Sequence, residues 1–339
     1  MGGDGAAEAM KKVLVTGGGG FIGMAIVKAL RARGIDCRVV GRSHYPEVEK
    51  LGAVCIRGDI RERSFLTECS QGVDTLFHVA SLTGIWGNWS DYFSVNVQGT
   101  ESVLYACEKN SIPRLIYTST PSVVFNKQDI CNGDETLPYP GTFLCHYAHT
   151  KALAEKMVLK ANGNTCSTCA LRPHLVWGPG DPHLVPRLLE RGRRRRLKIV
   201  GRGENLVDIA YVDNVAHAHL LAADNLAGTA TAAGKAYFIS QGEPVNLWGW
   251  INELFAKAEV PILKRKIPFW AAYGIGGLLE TLHRIGAPEK EPRMTRFLAE
   301  QLAKSHYFSI ERAKVDLGYT PLVSSKEGMR QLLIWIRQL

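Results

Sequence analysis

The chain has 339 residues, of which 46% are hydrophobic and 22% charged, with a formal net charge of +9 and eight cysteines. It exceeds a single average domain and can bury a large core. The cysteines are scattered without paired metal-ligand spacing, which points to reduced thiols in a cytoplasmic protein and away from a zinc site, and no recognised nucleic-acid motif accompanies the positive charge.

In chain order, residues 1–10 are small and acidic, with neither a basic stretch nor an apolar run, and are expected to be a disordered extension and not a secretory signal. Val13-Leu14-Val15-Thr16 reads as a strand running into Gly17-Gly18-Gly19-Gly20-Phe21-Ile22-Gly23 and then a helix. Gly17 permits a tight turn, Gly20 lets backbone approach a pyrophosphate, and Gly23 lets the helix pack closely on the strand, with free helical amides aimed at an anion. A plain strand-turn-helix would carry the same glycines, so the pattern needs support from elsewhere. A second strand, Cys37-Arg38-Val39-Val40, ends in Gly41-Arg42.

Arg114 to Phe125 is a β-rich run with Thr118, Ser119, Thr120 and Ser122 where a strand should end, and open α/β sheets bind ligands at strand ends. Tyr147-Ala148-His149-Thr150-Lys151 then opens a run of strong helix formers, so a phenol and an ammonium four residues apart share one helix face. A solvated Tyr/Lys pair is the alternative. Strand-like and helix-like segments alternate through the first half, which argues for an α/β fold with a parallel, doubly wound, Rossmann-type sheet. After about Pro179 the elements shorten into a smaller, mostly C-terminal portion. No repeat or low-complexity linker separates the two, so residues 11–178 and 179–339 are expected to interleave in space.

Two later segments are ambiguous. Arg191-Gly192-Arg193-Arg194-Arg195-Arg196-Leu197-Lys198 is a cation cluster that either complements a helix dipole in solvent or meets an acidic lipid surface or anionic protein. Ile267 to Leu279 is an apolar and aromatic run too short to cross a bilayer, read as a buried helix lining a greasy pocket or as a shallow membrane attachment. Trp86, Trp89, Trp177 and Trp270 are candidates for apolar pocket walls or for core. The histidine pairs His146/His149 and His217/His219 lack the cysteine or carboxylate set that would complete a zinc shell, so no metal is expected.

The glycine-rich first turn, the hydroxyl cluster and the Tyr-x-x-x-Lys helix together resemble the extended short-chain dehydrogenase/reductases. Gly58-Asp59-Ile60, Val73 to Ala80, Asn96 to Thr100, Leu171-Arg172-Pro173 and Tyr211 to Val215 carry the resemblance over nearly the whole chain. Arg172-Pro173-His174, Trp177 to Pro182 and Gly234 to Ser240 narrow it to the 3β-hydroxysteroid dehydrogenase family. Thr118 to Val123 and Thr295 to Leu302 are similar to members that reduce 2-alkyl-3-oxoalkanoates in olefin biosynthesis. Asn205 to Asp208 and Ile267 to Trp270 are similar to members that oxidise sterol 4α-carboxylates.

The resemblance implies Tyr147 as acid/base, Lys151 as the residue that lowers the phenol pKa and binds the nicotinamide ribose, and Thr120 as the hydroxyl that holds the substrate oxygen. Most relatives have serine there; threonine keeps the hydroxyl but restricts its rotamers. Ser119 is a second candidate, and Ser122 lies further along than the pattern requires. Cofactor contacts are implied for Gly17, Gly20, Phe21, Ile22, Gly23, Arg42, Asp59, Ala80, Ser119, Tyr147, Lys151 and Pro173. Gly41 replaces the aspartate of NAD-preferring relatives and Arg42 can pair with a 2′-phosphate, so NADP(H) is expected over NAD(H), which stays possible. The implied activity interconverts a β-keto and a β-hydroxy group on a lipid-like substrate, either on an oxoalkanoate or on a sterol. A nucleotide-sugar enzyme and a non-catalytic NADP(H)-binding sensor are the remaining alternatives. A homodimer with possible peripheral membrane contact and no nucleic-acid partner is the expected assembly.

Overall fold

In the computed structural model, which describes residues 10–286 and 289–338, seven strands form one parallel sheet. In chain order they are β1 (Lys12–Thr16), β2 (Asp36–Gly41), β3 (Val54–Arg57), β4 (Thr75–His78), β5 (Arg114–Thr118), β6 (Ser167–Pro173) and β7 (Lys235–Ile239). They stand side by side as β3-β2-β1-β4-β5-β6-β7. The chain reverses its direction of travel across the sheet between β1 and β4, which opens a crevice at their carboxyl ends. β5 is buried at every residue and β6 at all but its first, because helices cover both faces of the sheet.

Strand β5 stops at Thr118, short of the β-rich run that ends at Phe125. Pro121 has no N–H for a ladder, and Thr120 instead caps a 3₁₀ turn, Pro121–Val123, its Oγ1 accepting from the Ser122 N–H at 3.2 Å. The Tyr147 segment is helical over His146–Lys160. Of the expected N-terminal extension, residues 1–9 lie outside the described residues, while Met10 packs into the core beside the sheet.

Strand β7 comes from the later half of the chain and completes the sheet. Val245–Asn246, Leu206–Val207, His306–Phe308 and Ile130–Gly133 form a second, four-stranded sheet in that order, so a segment of the first half is also built into the later portion. Trp177, Trp248, Trp250 and Phe255 pack a separate core there. Trp177 is therefore core and no pocket wall: its ring stands edge-on to Tyr211 and Trp250 at 5.3 and 5.4 Å.

The apolar run after Ile267 forms a helix, Phe269–Gly286, buried only at Ala272, Gly276 and Glu280. This corrects the expectation of a buried helix lining a pocket. Among the described residues no helix is long and apolar enough to cross a membrane.

Candidate active site

One cleft of about 620 Å³ opens at the carboxyl ends of the central strands. Gly17, Gly20, Phe21, Ile22, Gly23, Arg42, Asp59, Ala80, Ser119, Thr120, Tyr147, Lys151 and Pro173 all line it. The tertiary fold thus brings the residues implied for catalysis and cofactor contact to a single cleft.

The glycine loop is shaped by sterics at two positions. Gly17 has φ +70°, and a Cβ on it would stand 2.7 Å from the Ala80 Cα. A Cβ on Gly23 would stand 2.2 Å from the Gly17 carbonyl oxygen, so only glycine lets the Phe21–Ala32 helix start this close to β1. At Gly20 a Cβ would meet only the Gly17 oxygen, at 3.3 Å, leaving its cleft side open for a phosphate beside the first helical amides. These residues fit a dinucleotide.

Tyr45 is a cleft residue that the sequence did not single out. Its ring lies over the loop and the end of β2 together: a Cβ on Gly19 would fall 2.1 Å from it and one on Gly41 2.6 Å. Gly41 therefore both omits a carboxylate and makes room for Tyr45. Asp59 is the one carboxylate among the described residues lining the cleft. Its carboxyl is held below the usual range by hydrogen bonds and charge from Arg61, at 2.6 and 2.9 Å.

Three hydroxyls follow β5, and they face different ways. The Ser119 hydroxyl is buried near the Glu155 carboxylate. The Thr120 side chain faces the Tyr147 phenol closely enough to favour its ionised form, and its hydroxyl donates to the Ser122 Oγ at 3.3 Å. Thr120 is thus the hydroxyl that faces the phenol.

Burial pushes the Tyr147 phenol up to about 12, against the opposing pull of the Thr120 side chain. Burial also lowers Lys151 to about 7, opposed by the Glu155 carboxylate. The Lys151 ammonium donates to the Thr118 carbonyl at 2.5 Å and sits 4.1 Å over the Tyr117 ring. Burial thus raises the phenol where a lowered value was expected, and Lys151 is not among the groups that shift it.

Glu155, one helical turn beyond Lys151, is fully buried and takes Arg172 in two bonds, Nη2 at 2.6 Å and Nε at 3.0 Å. The Tyr139 hydroxyl donates to the same carboxylate at 2.7 Å. Burial raises the Glu155 carboxyl, but these hydrogen bonds and the Arg172 charge bring it below its ordinary value.

At the other end the cleft is lined by Thr83, His174, Leu175, Val176, Pro182, His183, Phe297, Leu298 and Gln301. The last three come from the Arg296–Ala303 helix, which takes the lining place expected of the preceding apolar helix. Neither Trp86, Trp89 nor Trp270 lines the cleft. His306 Nε2–H donates to the Gln301 carbonyl at 2.9 Å, which leaves its Nδ1 to accept from His174 Nε2 at 2.6 Å. Burial keeps both rings neutral, with His174 well below its ordinary value. Cys145, beside Tyr147, is buried and pushed up to about 11, an unreactive thiol at neutral pH. No group of three or more His, Cys, Asp or Glu side chains among the described residues is arranged to hold a metal ion.

Residues 14–269 match the 3-beta hydroxysteroid dehydrogenase/isomerase family. The chain is 47% identical to the 2-alkyl-3-oxoalkanoate reductase of Shewanella oneidensis, over 97% of this chain and 87% of that protein. It is 36% identical to the decarboxylating sterol-4-alpha-carboxylate 3-dehydrogenase of Mus musculus, over 95% of this chain and 90% of that protein. Among solved structures, MoeE5 in complex with UDP-glucose and NAD superposes with a TM-score of 0.73 at 25% identity, over 96% of this chain and 99% of that one.

Proposed function

The chain belongs to the 3-beta hydroxysteroid dehydrogenase/isomerase family of NAD(P)-dependent oxidoreductases acting on CH–OH groups, and within it we propose an NADP(H)-dependent reductase that converts a 2-alkyl-3-oxoalkanoate to the 2-alkyl-3-hydroxyalkanoate. The observation that carries the reading is that Tyr147 and Thr120 line the same cleft as the glycine cradle, with the Thr120 side chain close enough to the phenol to favour its ionised form. Support for this substrate over a sterol comes from the higher identity to the reductase, 47% against 36%.

A bound nicotinamide would supply the hydride. As hydride reaches a ketone carbon, negative charge grows on the oxygen and must be met by a donor and a proton. Thr120 holds that oxygen by a hydrogen bond, and Tyr147 gives it the proton. With its pKa near 12, Tyr147 remains protonated throughout the neutral range, the state a reductase needs in its acid. Lys151, which lines the cleft beside Tyr147, would hold the ribose hydroxyls of a bound cofactor.

NADP(H) preference rests on Gly41 and Arg42: the last residue of β2 carries no carboxylate to repel a 2′-phosphate, and Arg42, within electrostatic reach of Asp59, lines the cleft beside it. Gly17, Gly20, Phe21, Ile22 and Gly23 would receive the pyrophosphate, Asp59 would meet the adenine, and Ala80, Ser119 and Pro173 would meet the nicotinamide half. The lipid-like substrate lies in the end lined by Leu175, Val176, Phe297 and Leu298.

The test is NADPH consumption with a long-chain 2-alkyl-3-oxo acid, run beside reduction of NAD(P)⁺ with a 4-carboxy-3β-hydroxysterol. Turnover of the oxo acid supports the proposal. Turnover of the sterol alone replaces it with sterol oxidation, and silence with both substrates despite cofactor binding removes both readings.

A further inference from the structure

We propose that His174 anchors the carboxyl group of the substrate, its Nδ1 sharing one proton with a carboxyl oxygen. This role rests on the oxo-acid reading above and says which residue recognises the acid.

Four histidines are buried among the described residues: His78, His174, His219 and His306. Three of them spend both ring nitrogens on the fold. His78 bonds Thr16 and Thr100, His219 bonds Thr118 and the Val215 carbonyl, and His306 bonds His174 and the Gln301 carbonyl. His174 spends one. The bond from His306 Nε2–H to the Gln301 carbonyl fixes that ring's proton, so His174 must donate its Nε2–H to the His306 Nδ1, and the neutral His174 ring keeps a lone pair on Nδ1. No hydrogen bond among the described residues takes that Nδ1, and the atom is not buried, so it opens on the cleft that the ring lines.

Position places this lone pair beside the reacting group. β5 and β6 run parallel with Thr118 beside Leu171, and the Ser119 N–H continues the ladder to the Leu171 carbonyl at 2.6 Å. Thr120 lies two residues beyond that pairing and His174 three, so both leave the same edge of the sheet on strands about 4.8 Å apart. In a 3-oxo acid a single carbon separates the ketone from the carboxyl group. A ketone held at Thr120 and Tyr147 therefore brings its carboxyl group to the neighbouring strand end.

The chemistry of the cleft selects the ligand group. Its lining contains Arg42, at the end of β2, and Lys151, in the catalytic helix, and neither stands among the apolar residues of the substrate end. His183, the other titratable group there, is exposed. A carboxylate drawn from water needs a hydrogen-bonded cation. Bare Nδ1 would repel it, but a proton taken from solvent as the acid binds forms an N–H bond between the two, leaving an imidazolium hydrogen-bonded at both nitrogens and a neutralised pair. The Gln301 side chain lines the same end and can donate its amide to the second carboxyl oxygen.

The surroundings keep the empty ring neutral. Burial holds His174 well below its ordinary value, and His306 opposes a second charge while its carbonyl favours one. Beyond His306, Asp208 accepts the Phe308 N–H at 2.7 Å and Asp129 acts on the His306 ring through its charge. Glu300 precedes Gln301 on the Arg296–Ala303 helix, and from β7 the contact is the Ile239 carbonyl, which accepts the His174 N–H at 3.3 Å. The proton thus arrives with the acid. A complex that holds one proton more than its separated parts loses affinity as pH rises, by up to about tenfold per pH unit.

The experiment is titration calorimetry of the full chain, with NADPH present, against a long-chain 2-alkylalkanoic acid that lacks the 3-oxo group, at about pH 6.5 in two buffers of different ionisation enthalpy. The expected result is uptake of about one proton per acid bound. Kinetics with His174→Phe supply the second measurement, with NADPH affinity by fluorescence titration as the folding control. The variant should raise KM for the oxo acid by about 10- to 100-fold, and by at least about tenfold more than for the long-chain ketone that lacks the carboxyl group. No binding of the acid, binding without proton uptake, or an equal penalty for acid and ketone overturns the anchor and leaves His174 a structural residue. Proton-linked binding of the acid without oxo-acid turnover would remove the substrate reading and leave the carboxyl site standing.

Discussion

Replacing Arg172 by methionine isolates the buried charge pair beneath the site. In the native protein Glu155 is fully buried and its carboxylate is met by Arg172 in two bonds and by the Tyr139 hydroxyl. Arg172→Met leaves that carboxylate with its desolvation and without its cation, a loss of about 3–5 kcal/mol. With an unfolding entropy of about 2.1 cal/mol/K per residue, the whole chain loses about 0.7 kcal/mol per kelvin near its midpoint, so the melting temperature falls by about 4–7 °C. Glu155→Gln leaves the opposite charge unpaired and is comparably destabilised. The double variant Glu155→Gln/Arg172→Met carries neither charge and recovers most of the loss.

The pH dependence has a definite sign. In the native protein Glu155 titrates below its ordinary value, so its stabilisation is present above about pH 4.5 and lost as pH falls through the lowered pKa. Without Arg172 burial dominates and the carboxyl titrates above its unfolded value, so that variant loses stability as pH rises. Urea unfolding at mildly acidic and mildly alkaline pH measures both effects. The deficit of Arg172→Met should be larger at the alkaline pH. A deficit under about 1 kcal/mol at both, or a double variant as unstable as the sum of the singles, refutes the buried-pair argument.

Four further outcomes are expected. Tyr147→Phe removes the proton donor and lowers kcat by about 10²- to 10⁴-fold with NADPH affinity nearly intact, read by steady-state kinetics and by fluorescence titration of the cofactor. Thr120→Ser retains most of the turnover, whereas Thr120→Val loses the hydroxyl that meets Tyr147 and drops kcat by about tenfold or more, so equal rates for the two would count against Thr120 as the oxygen-holding group. Arg42→Ala weakens NADPH binding by about 10- to 100-fold and leaves NADH nearly unchanged, whereas Gly41→Asp alone fails to convert the enzyme to NADH because its Cβ would fall 2.6 Å from the Tyr45 ring. Gly23→Ala, with its Cβ 2.2 Å from the Gly17 oxygen, destabilises by about 1–3 kcal/mol and lowers affinity for both cofactors in the same titration.

The parts of the site that the amino-acid sequence determined by itself are those whose geometry is local. Gly17 to Gly23 lie on one turn, and Tyr147 and Lys151 lie one helical turn apart, so their relative placement follows from backbone periodicity once the strand and helix are recognised. The alternation of elements likewise specifies a parallel sheet, because parallel strands require crossover connections. The place of Thr120 beside Tyr147 was legible only in part: the strand-end hydroxyls are contiguous, but their directions are not a property of spacing. Only the tertiary structure turned Ser119 toward Glu155 and Thr120 toward Tyr147.

Contacts between distant segments were closed to the sequence. His174 and His306 are 132 residues apart, Tyr45 meets both Gly19 and Gly41 by folding back over the loop, and the Arg296–Ala303 helix arrives at the cleft from the far end of the chain. The apolar run after Ile267 has the composition of a core helix, and composition does not say which side faces in. Close backbone contact at Gly276 and the Glu280–Arg296 pair turned its small-residue side inward and left its large apolar side outside. The phenol's raised pKa has the same origin: covalent spacing fixes how near an ammonium lies to a phenol, but desolvation depends on everything packed around both, and that is decided only when the chain has folded.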